Sequence, residues 1–142
     1  MNSKSNLVLM ASVMTIMGIM FIPGNVSAEE IQNSVIISPI NEEISLEKTT
    51  ATMIVPQDNT LPWGAVVGAP SDYVERYPVI IQFYKGDDAV HIAQVDVKGD
   101  GSYEYKFRVR DVDNNSGEII NVFEGQYTVK IFKVIPNQNS LV

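Results

Sequence analysis

From Ser102 to Arg110 the chain alternates without a break. Tyr103, Tyr105, Phe107 and Val109 share one side of an extended segment; Glu104, Lys106, Arg108 and Arg110 share the other. Period two is strand geometry, and an apolar face opposite a charged one suits a sheet with one buried and one wetted side. A slip of one residue would bury the charges, so the register is well specified. Two further strands are predicted upstream, Pro78 to Tyr84 and Ala89 to Lys98, joined by Gly86-Asp87-Asp88 and linked onward by Gly99-Asp100-Gly101. Both connections use residues that accept positive φ in tight turns, which predicts an antiparallel meander. Ser34 to Ser38, Glu47 to Val55, Glu118 to Phe123 and Gln126 to Ile135 complete a set of about seven short strands, and no segment keeps a helical period over several turns. The pattern predicts an all-β fold, an immunoglobulin-like antiparallel β-sandwich. Pro56 to Tyr77, with prolines at 56, 62 and 70 and glycines at 64 and 68 around Trp63, reads as one long loop, and loops of that length are often functional.

The first 28 residues follow a different pattern. Lys4 precedes an apolar run from Leu7 to Ile22, Pro23-Gly24 breaks it, and Val26-Ser27-Ala28 offers small residues before Glu29. This order is that of a secretory signal peptide, helical in its apolar part and cut after Ala28. Retention as a membrane anchor is the alternative, but the run holds Ser12, Thr15 and Gly18 and lacks a charged stop. Residues 29–142 are then expected to form a single domain, secreted or held at the cell surface, with no membrane span once the signal is removed. They carry 9 basic and 17 acidic residues, a net charge of −8, which repels nucleic acid and anionic lipid. With no cysteine, such a domain rests on core packing instead of disulfides.

Four stretches, taken in order, carry a family resemblance: Tyr77-Pro78-Val79-Ile80-Ile81-Gln82, Ile92-Ala93-Gln94-Val95-Asp96-Val97, Gly99-Asp100-Gly101-Ser102-Tyr103 and Gly125-Gln126-Tyr127-Thr128-Val129-Lys130. Together they resemble the immunoglobulin-like modules of archaeal secreted and cell-surface proteins, notably those of ammonia oxidisers. The resemblance spans about half of residues 29–142 and implies an adhesive, structural or display role with no catalytic residue to carry over. Such modules often recur in tandem; here there is one copy, and Pro56 to Tyr77 and Asp111 to Phe123 fall outside the resemblance.

The chemistry agrees with a non-catalytic reading. His91 is the sole histidine; it sits inside a strand pattern and reads as a half-buried ring satisfied by a neighbour, without a nucleophile elbow beside it. Zinc and copper sites need more His or Cys than the chain holds. Calcium is the one metal the composition admits, with Asp111, Asp113, Asn115 and Glu118 as candidate ligands, although Ser116 stands where a helix-loop-helix calcium site requires glycine. Asn114-Asn115-Ser116 is an acceptor sequence for N-linked glycan at Asn114. Trp63 and Tyr73 are the candidate binding residues; Trp63 reads either as a ring plugging the core or capping the loop, or as an exposed contact. The expected function is a structural or adhesive β-sandwich module of the cell envelope, its partners other envelope proteins or surface glycans. The alternative is a small secreted binding protein for carbohydrate, a cation or an envelope protein, acting through the Trp63 loop. Ser34 to Ser38 is the first strand of its own sandwich or, in a self-assembling variant, a strand exchanged with the next subunit.

Overall fold

The computed structural model describes residues 19–20 and 33–137. Among them the regular structure is all strand: β1 (Ile19–Met20), β2 (Ser34–Pro39), β3 (Ile44–Val55), β4 (Trp63–Gly68), β5 (Val79–Lys85), β6 (Asp88–Val95), β7 (Tyr103–Arg108), β8 (Arg110–Val112), β9 (Ile119–Asn121) and β10 (Gly125–Pro136). A five-stranded sheet in the order β2-β3-β10-β5-β6 and a three-stranded sheet β1-β4-β7 are accompanied by the small β8-β9 hairpin, and every pairing is antiparallel.

β3 and β10 form the spine of the larger sheet, in register from Ile44 opposite Pro136 to Val55 opposite Gly125. Alternation then decides burial. Ala51, Met53 and Val55 of β3, Tyr127, Val129 and Ile131 of β10, and Val79, Ile81 and Phe83 of β5 are buried. They share one cluster with Val66 of β4, Tyr103 and Phe107 of β7, and Val109 and Phe123. The sheets therefore face each other across a common core. Full burial of such side chains contributes about 1.5–3 kcal/mol each, and no disulfide supplements it.

The expected all-β antiparallel architecture is present, with differences in detail. β10, the last strand, lies in the middle of the larger sheet between β3 and β5, whereas an immunoglobulin sandwich places its final strand at a sheet edge. The expected loop from Pro56 to Tyr77 contains a strand, β4. Its glycines suggested turns, but Gly64 and Gly68 lie in register with Phe107 and Tyr103 of β7. A Cβ at Gly68 would fall 2.0 Å from the Tyr103 ring. Glycine here makes room for a cross-strand aromatic instead of bending the chain. Asp111 to Phe123, outside the family resemblance, holds the β8-β9 hairpin, closed by a turn in which Gly117 takes φ 70.

β2 pairs along its length with β3 of its own chain. Of the segment read as a signal peptide, only Ile19 and Met20 are among the described residues, paired with Val66 and Ala65 as a two-residue strand. The expected signal helix and cleavage position otherwise lie outside the described residues. Among these residues no helix is long and apolar enough to cross a membrane.

Candidate functional site

At the end of the sandwich where β5 turns into β6, side chains from both sheets converge on an aromatic cleft of about 390 Å³. Phe83, the last inward residue of β5, is buried against its lining: the ring centroid lies 5.1 Å from Phe107, 5.3 Å from His91 and 5.5 Å from Phe123, in edge-on or tilted arrangements. Such contacts add to the area buried because ring edges and faces carry opposite partial charge. A register shift between Phe83 and Tyr84 locally offsets β5 and β6 while leaving His91 opposite Phe83. The imidazole stacks on Tyr105 of β7 at 5.9 Å, and its Nε2 lies 2.5 Å from the phenol oxygen. His91 is thus a half-buried histidine satisfied by a neighbour, as its place in the strand pattern suggested. Burial pushes the Tyr105 phenol above its usual range. On the far side Phe123 packs against Tyr127 at 5.3 Å, and the Tyr127 hydroxyl accepts a hydrogen bond from the Glu124 amide at 2.8 Å.

Cations stand around these rings. Trp63 opens β4 opposite Arg108 of β7, and the guanidinium lies over the indole, 4.4 Å from its centroid. Trp63 remains 54% exposed, so it does not plug the core. The Lys85 ammonium sits 5.2 Å from the Tyr127 ring and donates to the Glu124 carbonyl at 2.8 Å. Lys106 completes the cationic lining. Arg108 and Lys106 also pair with Asp111 at 3.8 Å and Glu104 at 3.4 Å, exposed bridges of the kind that contribute about 0–1 kcal/mol and yield readily to another anion. Among the described residues no Asp or Glu side chain lines the cleft.

The sequence joined Trp63 with Tyr73 in one loop, and the two line different clefts. Trp63 starts β4, which runs about 16 Å to Gly68 at about 3.3 Å per residue, and Tyr73 follows its far end. Tyr73 donates to the Gly99 carbonyl at 3.1 Å and lines two shallower clefts, one with Glu75 and Asp96, the other with Asp72 and Asp100.

The four candidate calcium ligands lie in or beside the β8-β9 hairpin. Asp113 accepts hydrogen bonds from the amides of Asn115 and Ser116 at 2.7 and 3.3 Å, Asp111 faces Arg108, and Asn115 and Glu118 are exposed. Among the described residues no group of three or more His, Cys, Asp or Glu side chains gathers as metal ligands. Asn114 occupies the exposed turn of the same hairpin. The Asn115 amide, and after it Ser116, holds the Asp113 carboxyl below its ordinary 3.8. A depressed carboxyl stabilises the turn above its unfolded value and loses that effect as pH falls through the folded one. The Asn115 and Ser116 amides of the native protein should therefore lose their hydrogen-bonded chemical shifts on acidification below 3.8, and Asp113→Ala should show the released shifts already at pH 7.

Several residues of the site escaped the sequence reading. Lys85 was legible only as the residue before a Gly/Asp turn. Lys106 and Arg108 read as the solvated face of β7; only the pairing of β7 with β4 sets Arg108 against Trp63. Comparison with protein-family models, curated proteins and solved structures returns no match.

Proposed function

We propose that this chain is a non-catalytic module of the cell exterior, related to immunoglobulin-like surface modules in its two-layer plan, which adheres to surface saccharide through the aromatic cleft at its Trp63 end. One observation carries the reading: a large indole more than half exposed, steadied by Arg108, at the mouth of a cleft floored by Phe107, Phe123 and Tyr127. Exposed aromatic faces beside polar hydrogen-bonding groups suit sugar rings, whose C–H faces are apolar and whose edges are polar. The export pattern and the family resemblance support the address.

Trp63 is the only tryptophan, so its emission reports directly on the cleft. Titration with a panel of oligosaccharides should shift or quench that emission with at least one of them. Trp63→Ala should weaken binding of the same saccharide, followed by calorimetry, about tenfold or more, in line with a truncated aromatic anchor. An emission indifferent to every saccharide, together with unchanged calorimetric affinity in the variant, would overturn the assignment.

A further inference from the structure

We infer that the saccharide taken by this cleft is acidic, a sugar carrying carboxylate or sulfate; the inference rests on the adhesion reading above and specifies its ligand. Residues 29–142 have a net charge of −8, and two further clefts carry net acidic linings, Glu75 and Asp96 beside Arg76 in one and Asp72 and Asp100 in the other. The aromatic cleft inverts this balance. Lys85, Lys106 and Arg108 line it, from two strands belonging to different sheets, and among the described residues no carboxylate does.

The cations differ in what they already hold. Lys106 and Arg108 have exposed acidic partners. Lys85 meets a backbone carbonyl and a ring, and no described carboxylate lies within ion-pair distance of it. An ammonium without an acidic partner in a concave, ring-lined site favours an anion more strongly than one on an open surface, since the walls exclude water and reduce screening. Arg108 adds a planar fork able to grip a carboxylate or sulfate with two parallel hydrogen bonds while its face rests on Trp63. The volume lies near the lower end of small-molecule sites, ~300–1,000 Å³, a fit for one sugar ring with its charged substituent. Overall negative charge opposes indiscriminate attraction of polyanions, so an acidic ligand held here is held locally.

The experiment compares three probes on the full domain by calorimetry and Trp63 emission: oligogalacturonate as the carboxylate sugar, sulfated dextran oligomers, and neutral dextran oligomers. At least one acidic probe should bind about tenfold more tightly than neutral dextran, with affinity falling several-fold between 50 and 200 mM salt, and the two acidic probes separate carboxylate from sulfate recognition. Lys85→Met and Arg108→Met should each erode that preference at least fivefold, while Lys48→Met, which removes the same charge from a side chain beside Phe132, leaves it intact. Equal, salt-insensitive binding of acidic and neutral probes would overturn the acidic preference and leave the saccharide site standing. Equal weakening by Lys48→Met and Lys85→Met would overturn it by showing diffuse attraction. Silence from all three probes in both readouts would overturn this inference and the adhesion reading together.

Discussion

Phe83→Ala should lower the unfolding free energy by about 4 kcal/mol, within the range for removing a buried phenylalanine. Phe83 is fully buried, and the rings of His91, Phe107 and Phe123 all lie within 5.5 Å of its centroid. The loss combines the transfer free energy of the ring with a cavity that rigid aromatic neighbours fill poorly. Because these neighbours also wall the cleft, saccharide affinity should fall with stability, whereas Trp63→Ala should reduce affinity and leave stability nearly unchanged. Ile92→Ala, 65% exposed on the adjoining β6, serves as the control and should stay within about 0.5 kcal/mol. Urea titration of the three variants is the measurement. A Phe83→Ala loss below about 2 kcal/mol would show that the aromatic cluster does not organise this end of the core.

Lys133→Met should cost about 3 kcal/mol at pH 7, for a reason at the opposite end of the sandwich. Lys133 is only 3% exposed on the inward face of β10, directly across from Glu47 of β3. Its ammonium donates to Ser71 Oγ at 2.5 Å and to the Gly101 carbonyl at 2.9 Å, and lies 5.9 Å from the Tyr103 ring. The lysine thereby ties the segment between β4 and β5 to the turn before β7. Gly101 belongs to this junction: it takes φ 87, and a Cβ there would fall 1.7 Å from the Ser71 carbonyl oxygen. Burial drives the Lys133 pKa down, opposed by Glu47 and then by Asp72 and Asp100; burial drives Glu47 up, opposed by Lys133. Burial and, less strongly, Glu47 also push the Tyr103 phenol above its ordinary range.

Removing the ammonium leaves the buried Gly101 carbonyl and the Ser71 hydroxyl without their donor, about 1–3 kcal/mol for each buried group left unsatisfied, and takes from Glu47 the cation that acts on it across the strands, whereas replacing both charges together is milder. Glu47→Gln combined with Lys133→Met should recover at least about 1 kcal/mol of the single-variant loss. The pH dependence follows from the directions. Glu47 binds its proton more tightly when folded, so its effect on stability is most favourable below 4.5 and declines as pH rises through its folded value. Lys133 releases its proton more readily when folded, so the penalty on its charge is full below its folded value and lifts as pH rises toward 10.5. In Lys133→Met the carboxyl loses the cation that holds its pKa down, and acidification from pH 7 toward 4.5 should raise stability more than in the native protein. Denaturant titrations across that window test both points. A single variant as stable as the native chain, with the same pH slope, would refute the coupling.

Local pattern carried the strands as far as alternation reached. Tyr103 to Val109 could be read because a charged face made the register one-sided, and the Gly86 and Gly99 turns because their chemistry is local. The parity of β10, with Tyr127, Val129, Ile131, Lys133 and Ile135 on one side, already put a lysine among the inward residues, though its partner could not be named from that strand. β4 was hidden because Gly64 and Gly68 read as turn residues until the rings opposite them were known. Trp63 and Tyr73 were read as sharing one loop, but β4 carries the chain away from Trp63, and the two residues line different clefts.

The chain by itself therefore determined the all-β antiparallel class, the faces of its clearest strands, and an acidic, cysteine-free composition that relies on packing. These follow from period, turn chemistry and composition, which are properties of residues near one another in sequence. Tertiary structure alone decided that the last described strand sits at the centre of its sheet, that Glu47 lies across from Lys133, and that Trp63, Lys85, Lys106 and Arg108 gather about one aromatic cleft. Those outcomes depend on which strands pair and which sheets face. That choice is made by burial summed over the whole core, and no single segment encodes it.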